Sequence, residues 1–431
     1  MAFAIPELRS HVATFLDTKD ILSLTQTCRH WHQIWLIELF TVVVLHSPPS
    51  PHLLAMLGTY GHHVRTLELK FADCGAHCAQ ILQLTPNTRS LDLYRACLSE
   101  LQMEEIVFAA PASLRKLNFF LEQTGEVVRD DLFVFLAHLR HLRSVSWAGV
   151  EGGSARSIHV DDILLVLEAC PQLTSLILGY AEITDSDVRG DGSIAAVHGV
   201  DPDTHHPCVG RRLHTLELND CVVSDDSLLQ LLGIRSSDQE ICVTHPLVNL
   251  ELNLMSGNTV TSRSVTRVLQ ECRSLEALIL NSTNVVLAHI FREDQVWPCA
   301  QSLRMVGFVN KNKTPQGQMT SRDQELIRDH LHSLSKVEYL CIAGYPLGFA
   351  AVEEVEFAQS LRKADLTLEV EAPWDYFQEA ADAQLLAQGN RWINIQVPRR
   401  WSCSIKRGPP VKYYLSYDRN QTPMRNVAVL L

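Results

Sequence analysis

The sequence predicts an α/β fold, in which a small unit of three helices precedes a long array of strand–helix repeats. The first forty or so residues carry three short apolar patterns with helical spacing. From residue 64 onward a strand phrase recurs about ten times, and helical patterns fill the intervals. We expect the repeats to stack into a solenoid with a concave parallel sheet and with the helices outside.

The N-terminal unit is predicted to contain three consecutive amphipathic helices. Pro6 suits a first helical turn, where its missing N–H costs nothing. Asp17 or Thr18 can cap the second helix, and Asp20 lies in its first turn. About forty residues bury too little surface to be stable alone, so we expect the unit to pack against a partner or against the repeats. The apolar sets are Leu8, Val12, Phe15 and Leu16; Ile21, Leu22, Leu24 and Cys28; and Trp31, Ile34 and Trp35.

At these residues the chain resembles the F-box family, whose motif runs from Leu-Pro through Leu-x-x-x-Asp-Leu-Leu to Val-Cys-Arg-x-Trp. The matching segments are Ile5-Pro6 and residues 16–22 and 27–31, with Ile5 in place of Leu and Thr27 in place of Val. The resemblance implies binding to a Skp-type adaptor, which joins a cullin–RING ubiquitin ligase. The alternative is a helical cap over the first repeat. The adaptor contacts implied by the resemblance are Ile5, Pro6, Leu8, Val12, Leu16, Ile21, Leu22 and Trp31.

The repeated phrase has apolar residues at its first, fourth and sixth positions. It is the strand phrase of a leucine-rich repeat and recurs at intervals of roughly 24 to 40 residues. Helical patterns at residues 224–232 and 262–270 each begin near a residue that can cap the first turn. The cysteines that follow some phrases resemble those of repeats in F-box proteins, and residues 61–65 resemble many fungal F-box proteins. The phrases begin at Val64, Thr88, Leu114, Leu142, Leu173, Leu213, Leu247, Leu275, Leu303 and Val337.

These patterns divide the chain into an F-box at residues 1–45, a connector at 46–62, a solenoid at 63–390 and a C-terminal cap or tail at 391–431. Insertions at residues 190–210 and 310–317 break the period and are expected to form exposed loops. The tail is basic and aromatic and no longer carries the strand phrase. A terminal cap is its default interpretation.

Composition excludes several classes of function. The net charge of −12 is spread along the chain, which disfavours nucleic acid and anionic membranes as main partners. No apolar run approaches the roughly twenty residues of a membrane helix, and Glu7 and Arg9 stand where a signal peptide has its uncharged core. We therefore expect a cytoplasmic or nuclear protein. The twelve scattered cysteines are expected to be buried thiols without disulfides.

The sequence lacks the common catalytic motifs. It contains no Gly-rich phosphate loop, nucleophile elbow or His-Glu-x-x-His segment, which argues against an enzyme. Cys74, His77 and Cys78 are the best metal candidate, but they lack a second ligand pair at zinc-finger spacing. We therefore expect a non-catalytic protein without a metal or cofactor.

The target-binding residues are expected on the concave face, where side chains alternate with the buried ones. Tyr94 and Phe120 are exposed aromatics in this interpretation, and such residues often anchor protein interfaces. The alternative is that they pack against a neighbouring strand or loop. The predicted contacts are Glu68, Asp92, Tyr94, Asn118, Phe120, Ile177, Glu217, Asn219, Glu251 and Asn281.

Two functions fit these features. In the first, the chain is the substrate-recognition subunit of an SCF-type ligase, with a Skp-type adaptor and a cullin on the F-box and a target protein on the repeats. Proximity would then raise the local concentration of target lysines near the conjugating enzyme. In the second, the chain is a non-catalytic scaffold acting outside a ligase. Substitution of Ile5 and Pro6 separates them, because only the first requires the adaptor.

Overall fold

The computed structural model divides into two compact units, Met1–Val188 and Arg189–Leu431. The predicted insertions at 190–210 and 310–317 lie outside the described residues, and beyond residue 336 only backbone strands are described. The described residues are 6–13, 15–16, 18–71, 73–96, 98, 100–121, 132–148, 156–185, 212–234, 245–255, 257–282, 284–291, 297–309, 322, 326–327, 330, 334, 336, 339–343, 367–372, 392–396, 401–406, 411–417 and 426–430.

The first unit begins with three helices and continues as alternating strands and helices. Its helices are α1 Pro6–Ala13, α2 Thr18–Thr27, α3 Arg29–Thr41, α4 Pro51–Tyr60, α5 Gly75–Leu84, α6 Glu100–Ala109, α7 Leu132–Leu136 and α8 Val160–Ala169. Its strands are β1 Val42–Leu45, β2 Thr66–Leu69, β3 Ser90–Ala96, β4 Lys116–Leu121, β5 Ser144–Ala148, β6 Arg156–His159, β7 Ser175–Gly179 and β8 Ala181–Thr184.

The main sheet of this unit is parallel, in the order β1-β2-β3-β4-β5-β7. Strands β6 and β8 form a separate parallel pair. Leu67 and Leu69 are fully buried, whereas Glu68 between them is partly exposed. Ile81 of α5 and Met103 of α6 are buried as well. The sheet therefore has one buried face and one open face, and the open face is defined here by side chains such as Glu68.

The second unit repeats this pattern. Its helices are α9 Asp225–Leu231, α10 Ser262–Glu271 and α11 Leu287–Ile290, and its strands are β9 Thr215–Cys221, β10 Asn249–Leu254, β11 Ala277–Asn281, β12 Met305–Val309, β13 Tyr339–Ala343, β14 Thr367–Ala372, β15 Trp392–Gln396, β16 Trp401–Lys406, β17 Val411–Tyr417 and β18 Asn426–Leu430. Strands β9 to β14 pair in parallel in chain order. Strand β17 pairs antiparallel with β14 and β16, and β15 pairs antiparallel with β18.

The predicted α/β class and long parallel sheets are confirmed, because every predicted strand phrase overlaps a strand. The predicted helix at residues 224–232 is also confirmed, as α9. Its Ser224 side chain accepts a hydrogen bond from the Ser227 N–H at 3.0 Å. Helix α10 is capped in the same way by Thr261, which precedes the predicted first residue. Capping satisfies backbone donors that the first turn leaves unpaired.

The structure corrects the sequence analysis at two kinds of position. Helix α1 ends at Ala13, so Phe15 and Leu16 lie in a turn and do not extend its apolar face. Their N–H groups donate to Val12 O and Ala13 O at 3.0 and 3.2 Å, the i→i−3 pattern of a turn. Strands β1, β6, β8 and β14 to β18 were not predicted. Of all the helices in the part of the chain that the structure describes, none is long and apolar enough to span a membrane.

A glycine marks the junction between α4 and the first repeat. Gly61 is buried, and a Cβ atom placed on it would lie 2.1 Å from the carbonyl oxygen of Leu84, at the end of α5. Gly58, one turn earlier in α4, is exposed, and a Cβ atom placed on it would have no neighbour within 4 Å. The close approach of the two segments therefore depends on hydrogen being the side chain at position 61.

We predict that Gly61→Ala destabilises the protein by about 1–3 kcal/mol, because backbone must move to accept the methyl group. Gly58→Ala is the matched control and should stabilise it by up to about 1 kcal/mol, since alanine favours a helix over glycine. Denaturant unfolding followed by circular dichroism measures both. Equal midpoints for the two variants would show that the contact at Leu84 does not constrain the junction.

Candidate functional site

A nearly buried ion pair joins the first and third of the N-terminal helices. The Nε atom of Arg9 in α1 lies 2.6 Å from Oε1 of Glu38 in α3, and the two side chains are only 13% and 8% exposed. A charge-assisted hydrogen bond of this length is strong, and removal of one partner would leave the other charge buried. The pair therefore fixes α1 against α3.

The helical unit has its own small core and continues into the first repeat. Ile21, Trp35 and Phe40 are buried, and the Phe40 ring lies 5.2 Å from the Tyr60 ring of α4. Strand β1 follows α3 without a linker, and the Arg65 N–H donates to Thr41 O at 2.9 Å. The unit is thus held to the sheet by both packing and backbone hydrogen bonds.

Two large apolar side chains of this unit face solvent. Phe15 is 76% exposed and Leu22 is 46% exposed, whereas Ile21 beside it is buried. Among the other predicted adaptor contacts, Val12, Leu16 and Trp31 are partly exposed. Ile5 lies outside the described residues, and the structure describes Pro6 and Leu8 by their backbone only, as the first part of α1. Phe15 was not among the predicted contacts. It lies in the turn that follows α1, and the His11 ring packs edge-on against it at 5.3 Å between ring centres.

On the open face of the first sheet, the predicted residues form a row in register. Glu68, Asp92, Asn118, Ser146 and Ile177 are successive partners across β2, β3, β4, β5 and β7. The Nδ2 group of Asn118 donates to Oδ1 of Asp92, and Asn118 is buried. Burial raises the pKa of Asp92, an effect that the Asn118 hydrogen bond opposes. Asn118 therefore holds the Asp92 carboxylate in place by a hydrogen bond and exposes little of its own surface to a partner.

Tyr94 is exposed on the same face, as predicted. The ammonium of Lys70 lies 2.7 Å from Oε2 of Glu68 and 5.8 Å from the centre of the Tyr94 ring. The hydrogen bond to Glu68 raises the pKa of Lys70. The side chain of Phe120 lies outside those that the structure describes, although its backbone pairs with Tyr94. Whether these aromatics bind a target stays a prediction.

The open face of the second unit carries two rows from the predicted set. Glu217, Glu251 and Ile279 are successive partners across β9, β10 and β11. Asn219 and Asn281 flank Asn253 in a second row two residues further along the same strands. All six side chains are partly exposed. Burial and then the neighbouring Glu251 carboxylate raise the pKa of Glu217.

Comparison with protein families gives one match. Residues 6–41 match the family model described as F-box-like. The chain carries an F-box-like domain. The match begins at the first residue of α1 and ends at the last residue of α3, so it coincides with the three-helix unit and stops where the sheet begins. A comparison with curated proteins finds no significant match.

The chain also matches solved structures at low sequence identity. The yeast Rad7–Elc1 complex structure matches with a TM-score of 0.38 and 14% sequence identity, covering 76% of this chain and 77% of that one. An internalin, inlF, from Listeria monocytogenes matches with a TM-score of 0.30 and 14% identity, covering 67% of this chain and 64% of that one. Both scores are low, so we draw no functional conclusion from either protein.

The cysteine and histidine candidates occupy structural positions. Cys74 precedes α5 and Cys78 lies within it; both are buried, and burial raises the pKa of Cys78. The rings of His62 and His63 lie 3.8 Å apart, and burial lowers the pKa of His63. Across the described part of the chain, no three His, Cys, Asp or Glu side chains are grouped so that they could hold a metal ion.

We predict that Glu217→Gln stabilises the protein at pH 7. A carboxyl group whose pKa is raised by folding destabilises the native state at any pH above the raised pKa. This destabilisation disappears as the pH falls below 4.5, the ordinary pKa of a glutamate carboxyl group. The variant should therefore melt on the order of 1 °C higher at pH 7 and equally with wild type near pH 4. Thermal unfolding at both pH values measures this.

The matched control is Glu182→Gln, which removes the same charge from an exposed position in β8. It should leave the melting temperature nearly unchanged at pH 7. If the melting temperature of the control rises at pH 7 as much as that of Glu217→Gln, the effect comes from net charge and not from the Glu217–Glu251 pair.

Proposed function

We propose that this protein is a substrate-recognition subunit of an SCF-type cullin–RING ubiquitin ligase, of the F-box and leucine-rich-repeat kind, acting in the cytoplasm or nucleus. The F-box-like helices would bind a Skp-type adaptor and through it a cullin. The repeats would bind the target protein on the open faces of their sheets. The observation that carries the proposal is the exposure of Phe15 and Leu22 on the F-box-like domain.

The exposed side chains are energetically suited to docking. Complete burial of a Phe or Leu side chain contributes roughly 1.5–3 kcal/mol. Because Ile21, Trp35 and Phe40 hold the helices together from inside, Phe15 and Leu22 are available to a partner without unfolding of the unit. Val12, Leu16 and Trp31, which are partly exposed, would extend the contact around them.

In the proposed mechanism this chain has no catalytic role and acts only by positioning the target. The ubiquitin transfer would be performed by the other subunits, and this chain would hold a target near them. Arg9, Glu38 and Phe40 fix the adaptor-binding helices against the start of the sheet. A rigid connection of this kind limits the positions that a bound target can sample, which raises the effective concentration of its lysines.

The scaffold function remains the second candidate because of two observations. The Arg65–Thr41 hydrogen bond and the Phe40–Tyr60 contact are what a helical cap on the first strand also requires. A cap, however, does not need exposed apolar side chains on its outer side. The two functions therefore differ in what substitution of Phe15 and Leu22 does.

We predict that Phe15→Ala and Leu22→Ala, singly, weaken co-purification with a Skp-type adaptor, and that together they abolish it. Loss of a hot-spot side chain costs about 2 kcal/mol or more, which is roughly a thirtyfold loss of affinity. Full-length protein is co-expressed with the adaptor and cullin, and the complex is quantified by size-exclusion chromatography and titration calorimetry. The melting temperature of each variant checks that it is folded.

Helix α6 supplies matched controls, since Phe108 is 77% exposed and Leu101 is 64% exposed. Phe108→Ala and Leu101→Ala should leave the complex intact. Absence of a stoichiometric complex from folded wild-type protein would contradict the ligase function and favour the scaffold. If the α6 variants lose as much of the adaptor complex as the Phe15 and Leu22 variants do, the adaptor is not bound by the F-box-like helices.

A further inference from the structure

The open face of the second unit contains a pair of negative charges on neighbouring strands. Glu217 and Glu251 are direct partners on neighbouring parallel strands, which lie about 4.8 Å apart. Within the described part of the chain, neither carboxylate has a hydrogen-bond or ion-pair partner. Like charges in directly opposed positions destabilise a sheet. A positively charged side chain placed over the pair would relieve this repulsion.

The row of asparagines beside the pair is suited to a polypeptide backbone. Asn219, Asn253 and Asn281 follow the row of Glu217 and Glu251 two residues further along the strands, on the same face. Side-chain amides both donate and accept hydrogen bonds, as a peptide group does. The buried Oδ1 atom of Asn281 has no hydrogen-bond partner. Rotation of the Asn281 amide about its terminal torsion would turn Oδ1 toward the open face. There it would accept a hydrogen bond from a backbone N–H of a polypeptide that crosses the row of asparagines.

The same face becomes apolar further along the sheet. Ile279 follows Glu251 in register on β11, and Gly307 follows Ile279 on β12. Ile279 is partly exposed, whereas Gly307 is buried. Met305, on the same strand, is exposed. The face therefore changes from acidic to apolar across four neighbouring strands.

We propose that this face binds an extended segment of a target protein that carries an arginine or lysine and, about three residues away, an apolar side chain. The basic side chain would lie over Glu217 and Glu251, and the apolar one over Ile279 and Met305. The centres of the two subsites are two strand spacings apart, about 9.6 Å. A segment in the polyproline II conformation has three residues per turn and rises about 3.1 Å per residue, so side chains three residues apart lie on the same side and about 9.3 Å apart. This inference rests on the proposed function, because it names the class of target segment.

The test uses full-length protein and two fluorescein-labelled peptides, GSGRSSLGSG and its reversed order GSGLSSRGSG, because the sheet does not fix the direction of the segment. Fluorescence anisotropy should show saturable binding of at least one peptide, weakened by added salt. Replacement of Arg by Glu, replacement of Leu by Ser, or placing Arg and Leu next to each other should each lower affinity by about tenfold or more.

The double variant Glu217→Gln, Glu251→Gln should weaken binding by about tenfold or more as well. It removes a repulsion, so it is expected to fold at least as well as wild type. Glu182→Gln removes a similar charge from β8 in the first unit and should change affinity by less than about twofold.

Several results would overturn the inference: no binding of either peptide at millimolar concentration, equal binding of the Glu-bearing peptide, or equal weakening by Glu182→Gln. Equal binding of the peptide that lacks leucine would also overturn it, since the face would then be a simple cation site. Adaptor co-purification is measured on the same preparations. Peptide binding without adaptor binding contradicts the proposed function, whereas adaptor binding without peptide binding contradicts only this inference.

Discussion

The backbone hydrogen bonds at the start of each strand set the register on which both faces of the sheets depend. The carbonyl oxygen of Arg65 accepts from the N–H groups of Arg89 and Ser90 at 2.7 and 3.0 Å. Carbonyl oxygens at the same place in other repeats accept two N–H groups in the same way; they belong to Arg89, Arg115, Arg143, His214, Val248 and Glu276. A shift of one residue in the pairing register of a strand would bury the charged side chains that lie between the leucines and expose the leucines. Core packing and surface chemistry are therefore set together.

The junction between the F-box-like helices and the first sheet extends this constraint to the N-terminus. Helix α3 ends at Thr41, the next residue begins β1, and the Thr41 carbonyl accepts the N–H of Arg65. The Arg9–Glu38 pair then holds α1 on α3. An adaptor bound through Phe15 and Leu22 would therefore be held in a defined orientation relative to the first strands.

The strands were predictable because the phrase of alternating apolar residues is local and repeats. Strand β1 was missed because Val42 to Leu45 is apolar throughout and shows no alternation, and it precedes the first recognisable phrase. The extent of α1 was overestimated for a related reason, since Phe15 and Leu16 continue its apolar spacing beyond the point where the backbone turns. Apolar spacing predicts which residues suit a helix face but does not show where the helix ends.

By itself the sequence determined the α/β class, the three N-terminal helices, the strand phrases and the residues that alternate with the buried leucines. Only the tertiary structure decided that Ile21 is buried while the adjacent Leu22 is exposed, since exposure depends on which helix packs against each side chain. It also decided that Glu217 and Glu251 face each other. The two residues lie on different strands and are far apart in the sequence, and only pairing of β9 with β10 brings the charges together.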